Sequence, residues 1–267
     1  KSCVLLAGLY ADGETVVTEP APTRDHTERM LKGFGYPVKV DGSTVTIQAG
    51  GRLTATNIDV PSDISSAAFF MVAASIASGS DITLEHVGMN PTRVGVINIL
   101  KLMGADIEIN DAREVGGEPV ADIRIRSAQL QGIDIPEGQV PLAIDEFPAI
   151  FIAAACAKGT TVLTGAEELR VKESDRIQVM MDGLKILGVD AKGTDDGAII
   201  HGMGNQGFMS GGEVVSHGDH RIAMSFAVAS LRAGKPIRIL DCANVATSFP
   251  GFIDLARSCG MQVALEK

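Results

Sequence analysis

The stretch Asp145-Glu-Phe-Pro-Ala-Ile-Phe-Ile-Ala-Ala-Ala-Cys-Ala-Lys-Gly159 decides the fold. It opens on two acids, runs on as an apolar helix with no polar face, and stops at a glycine. A helix that is hydrophobic all round belongs in the middle of a protein. The same template occurs twice more. Asp63-Ile-Ser-Ser precedes the apolar run 67–79, and Asp219-His-Arg precedes the run 222–234. Residues 4–13 look like the end of a fourth copy. Each apolar helix leads into a β-rich run, at 14–18, 80–84, 160–164 and 235–240. A second helix then ends near Gly35, Gly104, Gly188 and Gly260, and more strand follows. An internal repeat of this kind sets the architecture before any single motif is considered.

Working outward, residues 1–60 read as helix, strand, helix and a strand pair. Asp41-Gly42 is the hairpin turn, and 53–60 is expected to be a further strand. Residues 27–34 form an amphipathic helix with Met30, Leu31 and Phe34 on one face. Pro61-Ser62-Asp63 marks a break, so the chain divides into 1–62 and 63–267. In the remainder, Asn90-Pro-Thr starts a helix over 93–103, and residues 105–110 and 120–127 are strands. Residues 197–202 end the next unit and 261–265 end the last as strand, with a Gly-rich loop at 202–212. The expected fold is α/β (α+β), with sheets around helices in a roughly threefold, repeat-built domain.

Composition limits the function classes. Hydrophobic residues make up 45% of the 267 and charged residues 21%, an ordinary globular balance. Aromatic content is 4% with no Trp, which leaves few platforms for stacking nucleic-acid bases. The net charge of −10 supplies no bulk basic field for nucleic acid or anionic lipid. An anionic substrate must therefore be held by a local cluster of Arg and Lys. Cys3, Cys156, Cys242 and Cys259 form no C-x-x-C pair, and reduced cysteines fit a cytoplasmic setting. No run is long enough to cross a bilayer. The chain does not begin with Met and enters an uncapped apolar helix at once, so upstream sequence is expected to be missing.

Four charged clusters sit at or before helix starts, those of Asp145 and of Asp219-His220-Arg221 where a strand hands over to a helix, and free backbone N–H groups there favour anions. In Leu169-Arg-Val-Lys-Glu-Ser-Asp-Arg-Ile177, Lys172 and Arg176 are spaced to converge on one anion, with Glu173 beside them. The bland alternative is a solvated helix start capped by Ser174-Asp175. In Asp145-Glu146 a general base competes with a simple helix cap. In Asp219-His220-Arg221, Arg221 can grip a phosphate or carboxylate and His220 can donate a hydrogen bond or relay a proton; the alternative is capping by Asp219. In Thr23-Arg-Asp-His-Thr-Glu28, Arg24 can bind an anion, while Asp25 or Thr27 caps the helix. No phosphate-loop pattern occurs, and with no H-E-x-x-H no catalytic metal is expected.

These clusters, in this order, resemble 5-enolpyruvylshikimate-3-phosphate synthase. The residues that carry the likeness are Thr23–Glu28, Leu169–Arg176, Asp219-His-Arg-Ile-Ala-Met224 and Thr247-Ser-Phe-Pro-Gly-Phe252, and it spans essentially the whole chain. Asn90-Pro-Thr-Arg93 and Thr247-Ser-Phe-Pro250 look more like the bacterial glyphosate-insensitive class than the enterobacterial and plant class. The resemblance implies an enolpyruvyl transferase fold, an inside-out barrel of β-α-β-α-β-β units with pseudo-threefold symmetry. Residues 1–62 would be the last unit of an incomplete first domain, and 63–267 a complete second domain of three units. The implied activity is that of a 3-phosphoshikimate 1-carboxyvinyltransferase of the shikimate pathway, the route to chorismate and the aromatic amino acids. It moves the enolpyruvyl group of phosphoenolpyruvate to the 5-hydroxyl of shikimate-3-phosphate and releases phosphate, and the resemblance implies no metal and no organic cofactor. By the same resemblance Asp145 acts at the 5-hydroxyl and Glu173 protonates the methylene carbon. Lys172 assists proton transfer and binding, and Arg176 and Arg221 hold phosphoenolpyruvate. His220 supports that site, and Arg24 binds the phosphate of shikimate-3-phosphate.

Two departures bear on these expectations. Thr247-Ser248 stand where many members carry a Lys before Phe-Pro, which removes one cation. The family's upstream Lys-Ser, Arg and Ser-x-Gln segments would lie before Lys1, in a missing N-terminal part of the same enzyme. The polypeptide alone is therefore expected to have little or no synthase activity. Two other readings stay open. One is the fold-sharing UDP-N-acetylglucosamine enolpyruvyl transferase, which typically uses a loop Cys that has no counterpart here. The other is a non-catalytic anion-binding module.

Overall fold

The computed structural model describes residues 1–20, 23–204 and 207–266. The first unit comprises α1 (Ser2–Gly8), β1 (Glu14–Thr18), α2 (His26–Gly33), β2 (Val38–Asp41) and β3 (Thr44–Gln48). Its antiparallel sheet has the order β1-β3-β2. The β2–β3 turn is Asp41-Gly42, and Gly42 takes φ 56°, a left-handed conformation that costs glycine nothing. Leu5, Leu31, Tyr36, Val45 and Ile47 form a small core under this sheet. Met30, expected on the buried face of α2, is exposed.

Two further units repeat the pattern. One comprises α3 (Ile64–Ile76), β4 (Asp81–Gly88), α4 (Gly95–Leu102), β5 (Asp106–Val115) and β6 (Glu118–Arg126), with sheet order β4-β6-β5. The next comprises α5 (Val140–Ala143), α6 (Phe147–Cys156), β7 (Lys158–Leu163), α7 (Arg176–Ile186), β8 (Asp190–Thr194) and β9 (Gly197–Met203), with order β7-β9-β8. The last comprises β10 (Gly212–Val215), α8 (His220–Ala229), β11 (Ile237–Leu240), α9 (Val245–Ser248) and α10 (Phe252–Ser258), with β10 and β11 parallel.

Helices lie inside and sheets outside, as the repeat predicts. Every residue of α3 except Ser66 is buried, and so is all of α6. α3, α6 and α8 pack against one another. Their small Ala-rich surfaces allow close approach. The larger side chains fill the gaps, each buried Ile, Leu or Phe contributing about 1.5–3 kcal/mol. Four of the phenylalanines, Phe69, Phe70, Phe249 and Phe252, meet in edge or tilted contacts at 5.7–6.2 Å. Isolated parallel bridges from Gln131 to Lys158 and from Asp134 to Val162 tie one unit to the next.

Several expectations need correction. Residues 53–60 form no strand; the whole stretch is exposed, so its alternating pattern has no sheet face to bury. Residues 261–265 are not a strand either, because the Val263 carbonyl is taken by Arg257 Nε at 2.8 Å instead of by a ladder. α4 begins at Gly95 rather than Arg93, since Asn90 Oδ1 accepts from Thr92 N at 2.9 Å and holds 91–94 in a turn. α6 ends at Cys156, and Gly159 lies inside β7. Of the loop expected at 202–212, residues 202–203 belong to β9 and Gly212 to β10, and positions 205–206 lie outside the described residues.

Candidate active site

The three junction acids have different fates. Asp63 caps α3, its side chain accepting from Ser66 N, and Asp219 caps α8, accepting from Arg221 N and Ile222 N. Asp145 is not a cap. It sits in the turn between α5 and α6, and the cap position of α6 belongs to Glu146, which makes no capping bond. The side chain of Asp145 is free to face a cluster of cations.

Four cations converge on it. Arg24 donates to Asp145 Oδ2 across 121 residues of sequence. Lys172 Nζ lies 3.4 Å and Arg176 Nη1 3.6 Å from Asp145 Oδ1. Arg221 Nη1 donates to the Asp145 backbone carbonyl at 3.0 Å. Burial pushes the Asp145 carboxyl up, but the charges of Arg221, Lys172, Arg24 and Arg176 together outweigh it and hold the group below the usual carboxylate range. Asp145 is thus an anion in the resting protein.

Arg176 is the anchor of the cluster. It is buried at the start of α7, where Asp175 caps the helix by accepting from Gln178 N. Its Nε donates to Asp219 Oδ2 at 2.9 Å and its Nη2 to Glu173 Oε2 at 2.5 Å. Nη1 is buried with no hydrogen-bond partner, a donor aimed toward Asp145 without reaching it. Ser174 Oγ, read as a possible cap, instead donates to Asp219 Oδ2 at 3.0 Å. Burial would raise the Asp219 carboxyl, and the bond and charge of Arg176 reverse this, so it too lies below the usual range.

Glu173 is half-exposed beside Arg176, and Lys172 also pairs with Glu168. His220 is the first residue of α8; burial first, then the neighbouring Arg221 charge, hold its imidazole below the ordinary value, so it is neutral at pH 7. Every residue singled out from the sequence, Arg24, Asp145, Lys172, Glu173, Arg176, His220 and Arg221, therefore lies in or beside one cluster. The expectation that Asp25 or Thr27 caps α2 is not met by a side-chain bond. Asp25 occupies the cap position, but its carboxylate goes to Arg29 and Asn90. Thr27 Oγ1 donates to Ser2 Oγ.

Sequence reasoning singled out Glu146 only as the neighbour of Asp145 and missed the layer it forms with Ser65 and Arg93. Glu146 is buried, accepts from Ser65 Oγ, and lies 3.6 Å from Arg221 Nη1. Its burial raises its carboxyl above the ordinary value. Ser65 in turn accepts from Arg93 Nη2 at 2.6 Å. The only sequence sign of Glu146 was its adjacency to Asp145. Among the described residues, no group of three or more His, Cys, Asp or Glu side chains is placed to hold a metal ion. No helix among them is long and apolar enough to cross a membrane. A separate cavity of about 800 Å³ lies between α8, β11 and residues 260–266, away from these charges.

Comparison with known proteins gives a consistent result. Residues 1–255 match the family model described as EPSP synthase (3-phosphoshikimate 1-carboxyvinyltransferase). A 3-phosphoshikimate 1-carboxyvinyltransferase of Methylococcus capsulatus is 70% identical over 263 residues, covering 98% of this chain and 59% of the relative. One from Alkalilimnicola ehrlichii is 68% identical over 261 residues, covering 98% and 58%. A solved EPSP synthase from Acinetobacter baumannii superposes with a TM-score of 0.95 at 62% identity, covering 98% of this chain and 60% of that one. The chain thus spans 58–59% of the length of these two curated relatives.

Proposed function

The chain belongs to the EPSP synthase family, and from that membership we propose that it carries the acid, base and phosphoenolpyruvate-binding groups of a 3-phosphoshikimate 1-carboxyvinyltransferase. The observation that carries the reading is the convergence of Arg24, Lys172 and Arg176 on the single carboxylate of Asp145, with Arg221 on its backbone carbonyl. In a protein of net charge −10, this is the focused positive site that two anionic substrates require.

In the resting protein Asp145 occupies the place of a substrate anion. Phosphoenolpyruvate, gripped by Arg176 and Arg221 through its carboxylate and phosphate, takes over those cations. Arg24 turns to the phosphate of shikimate-3-phosphate. Asp145 loses its partners, its proton affinity rises, and it becomes a competent base for the 5-hydroxyl. The hydroxyl oxygen bonds to C2 of phosphoenolpyruvate while Glu173, assisted by Lys172, delivers a proton to the methylene carbon. The product is a tetrahedral ketal phosphate. Cleavage of its C–O bond to phosphate, with return of a methyl proton to a carboxylate, yields the enol ether and inorganic phosphate. Positive charge developing at C2 is offset by the flanking carboxylates. His220, neutral beside Arg221, supports the phosphoenolpyruvate site.

We further assign 1–62 to the last unit of one domain and 63–267 to a second domain, a division supported by their separate cores. The remaining part of the enzyme is its partner, and the free cysteines accord with the cytoplasm. The test is phosphate release in an enzyme completed by joining this chain to the portion of the Methylococcus capsulatus relative that it does not match. Release from phosphoenolpyruvate that requires shikimate-3-phosphate is the expected result; no turnover in the completed enzyme overturns the reading. The 267-residue polypeptide alone is expected to show little or none.

A further inference from the structure

We propose that the turn Asn90-Pro-Thr-Arg93 is a positioning brace for the site: its Asn90 end holds the loop that bears Arg24, and its Arg93 end holds the Ser65–Glu146 pair behind Arg221. The inference deepens the reaction assigned above and rests on that reading.

Asn90 is 2% exposed and its amide is fully engaged. Nδ2 donates to Asp25 Oδ1 at 2.6 Å and to Glu118 Oε2 at 3.1 Å. Oδ1 accepts from Thr92 N at 2.9 Å and Thr92 Oγ1 at 2.7 Å. The opposite amide orientation would aim oxygen at two carboxylates, so the bonding itself fixes which way the group points. The two carboxylates are held in turn, Asp25 by Arg29 Nε at 2.9 Å and Glu118 by His26 Nδ1 at 2.6 Å. Arg24 immediately precedes Asp25. Its side chain therefore leaves for Asp145 from a backbone pinned, one residue away, to the turn between β4 and α4.

The other end of the turn acts on the opposite flank. Arg93 Nη2 donates to Asp63 Oδ1 at 2.9 Å and to Ser65 Oγ at 2.6 Å. Ser65 accepts from this cation and donates to Glu146, so its hydroxyl is polarised in one direction. Glu146 Oε1 lies behind Arg221 Nη1. Pro91 fixes φ between the two ends, and the Asn90–Thr92 bonds close the turn. One short segment thus acts, through Asp25 on one side and through Ser65 and Glu146 on the other, on the cations assigned to the two substrates.

The two ends make separable predictions in the completed enzyme. Asn90→Asp sets a third carboxylate against Asp25 and Glu118 and displaces the Arg24 loop. It is expected to raise KM for shikimate-3-phosphate about tenfold or more, the size of losing a hydrogen bond to a charged group, while KM for phosphoenolpyruvate stays within about twofold. Asn90→Ala is expected to be milder than Asn90→Asp, whereas a residue that merely fills space would show the reverse. Both Arg93 bonds come from Nη2, a position the shorter side chain of Arg93→Lys does not reach, so this variant is expected to raise KM for phosphoenolpyruvate selectively. Thr92→Val removes one bond to Asn90 Oδ1; its smaller shift, in the direction of Asn90→Asp, decides the question if the latter fails to fold. Equal changes in both KM values, no change, or Ala worse than Asp overturns the brace. If the unsubstituted enzyme shows no turnover, the reaction assignment fails. The brace is then read by calorimetry with inorganic phosphate, where affinity unaltered by Asn90→Asp overturns it.

Discussion

Arg176 and Asp219 form an ion pair sealed from solvent on both sides, with Nε 2.9 Å from Oδ2 and side-chain exposures of 1% and 0%. The pair joins the start of α7 to the start of α8 across 43 residues of sequence. It fixes where the cationic cluster stands relative to the buried helices. Removing one partner of such a pair strands a charge. Asp219→Asn keeps the capping oxygen for α8 but not the charge, and is expected to cost about 3–5 kcal/mol in chemical denaturation. The double substitution Arg176→Met with Asp219→Asn is expected to recover much of that loss. A single-variant cost below about 1 kcal/mol counts against the coupling.

Asp145 separates binding from chemistry. In the proposed reaction its carboxylate competes with substrate anions for Arg24, Lys172 and Arg176 and then serves as base. Asp145→Asn in the completed enzyme is therefore expected to lower kcat by about 10²–10⁴-fold, the usual weight of a general base. Calorimetry is expected to find phosphoenolpyruvate bound at least as tightly as before, because the internal anion is gone. Weaker binding in this variant would show that Asp145 organises the cations rather than rivalling the substrate.

The repeat was legible because its punctuation is local. Unbroken apolar runs at 67–79 and 149–157 leave no polar face, so those helices had to be central, and Gly35, Gly104 and Gly188 mark the chain reversals. Residues 53–60 misled because alternation shows a pattern without showing a partner; the stretch joins no ladder and is exposed throughout, although Asp59 meets His86 of β4. The charged clusters were legible as clusters. Their connections were not, since Ser65 meets Glu146 across 81 residues and Asn90 meets Asp25 across 65. Nor does adjacency distinguish Asp145 from Glu146. One faces cations and is held low, while the other is turned inward and pushed up.

Close approach of α7 to α8 depends on one missing side chain. A Cβ on Gly183 would lie 2.1 Å from Phe226 Cζ, and Phe226 is fully buried. Gly183→Ala is expected to destabilise by at least about 1–3 kcal/mol despite alanine's better helix propensity. Phe226→Leu added to it is expected to return part of the loss. A neutral Gly183→Ala, measured by urea denaturation, would mean that the two helices pack less closely.

Glu146 should imprint an unusual pH dependence on stability. Its folded-state pKa is raised, chiefly by burial, whereas those of Asp145 and Asp219 are lowered. The lowered pair contribute stability that is present above the ordinary aspartate value near about 3.9 and is lost as pH falls through their folded values. Glu146 works the other way. Its contribution is complete below the ordinary glutamate value of about 4.3 and is lost as pH rises toward its folded value, with a slope of up to about 1.4 kcal/mol per pH unit. Glu146→Gln keeps an oxygen for Ser65 and cannot ionise, so it removes this term alone. The variant is expected to gain stability over the parent as pH is raised from 4 toward neutrality, and to show no such gain at the acid end. Parallel denaturation midpoints for the two proteins across that range would indicate that Glu146 carries its charge at little cost, held by Arg221 more firmly than burial opposes it.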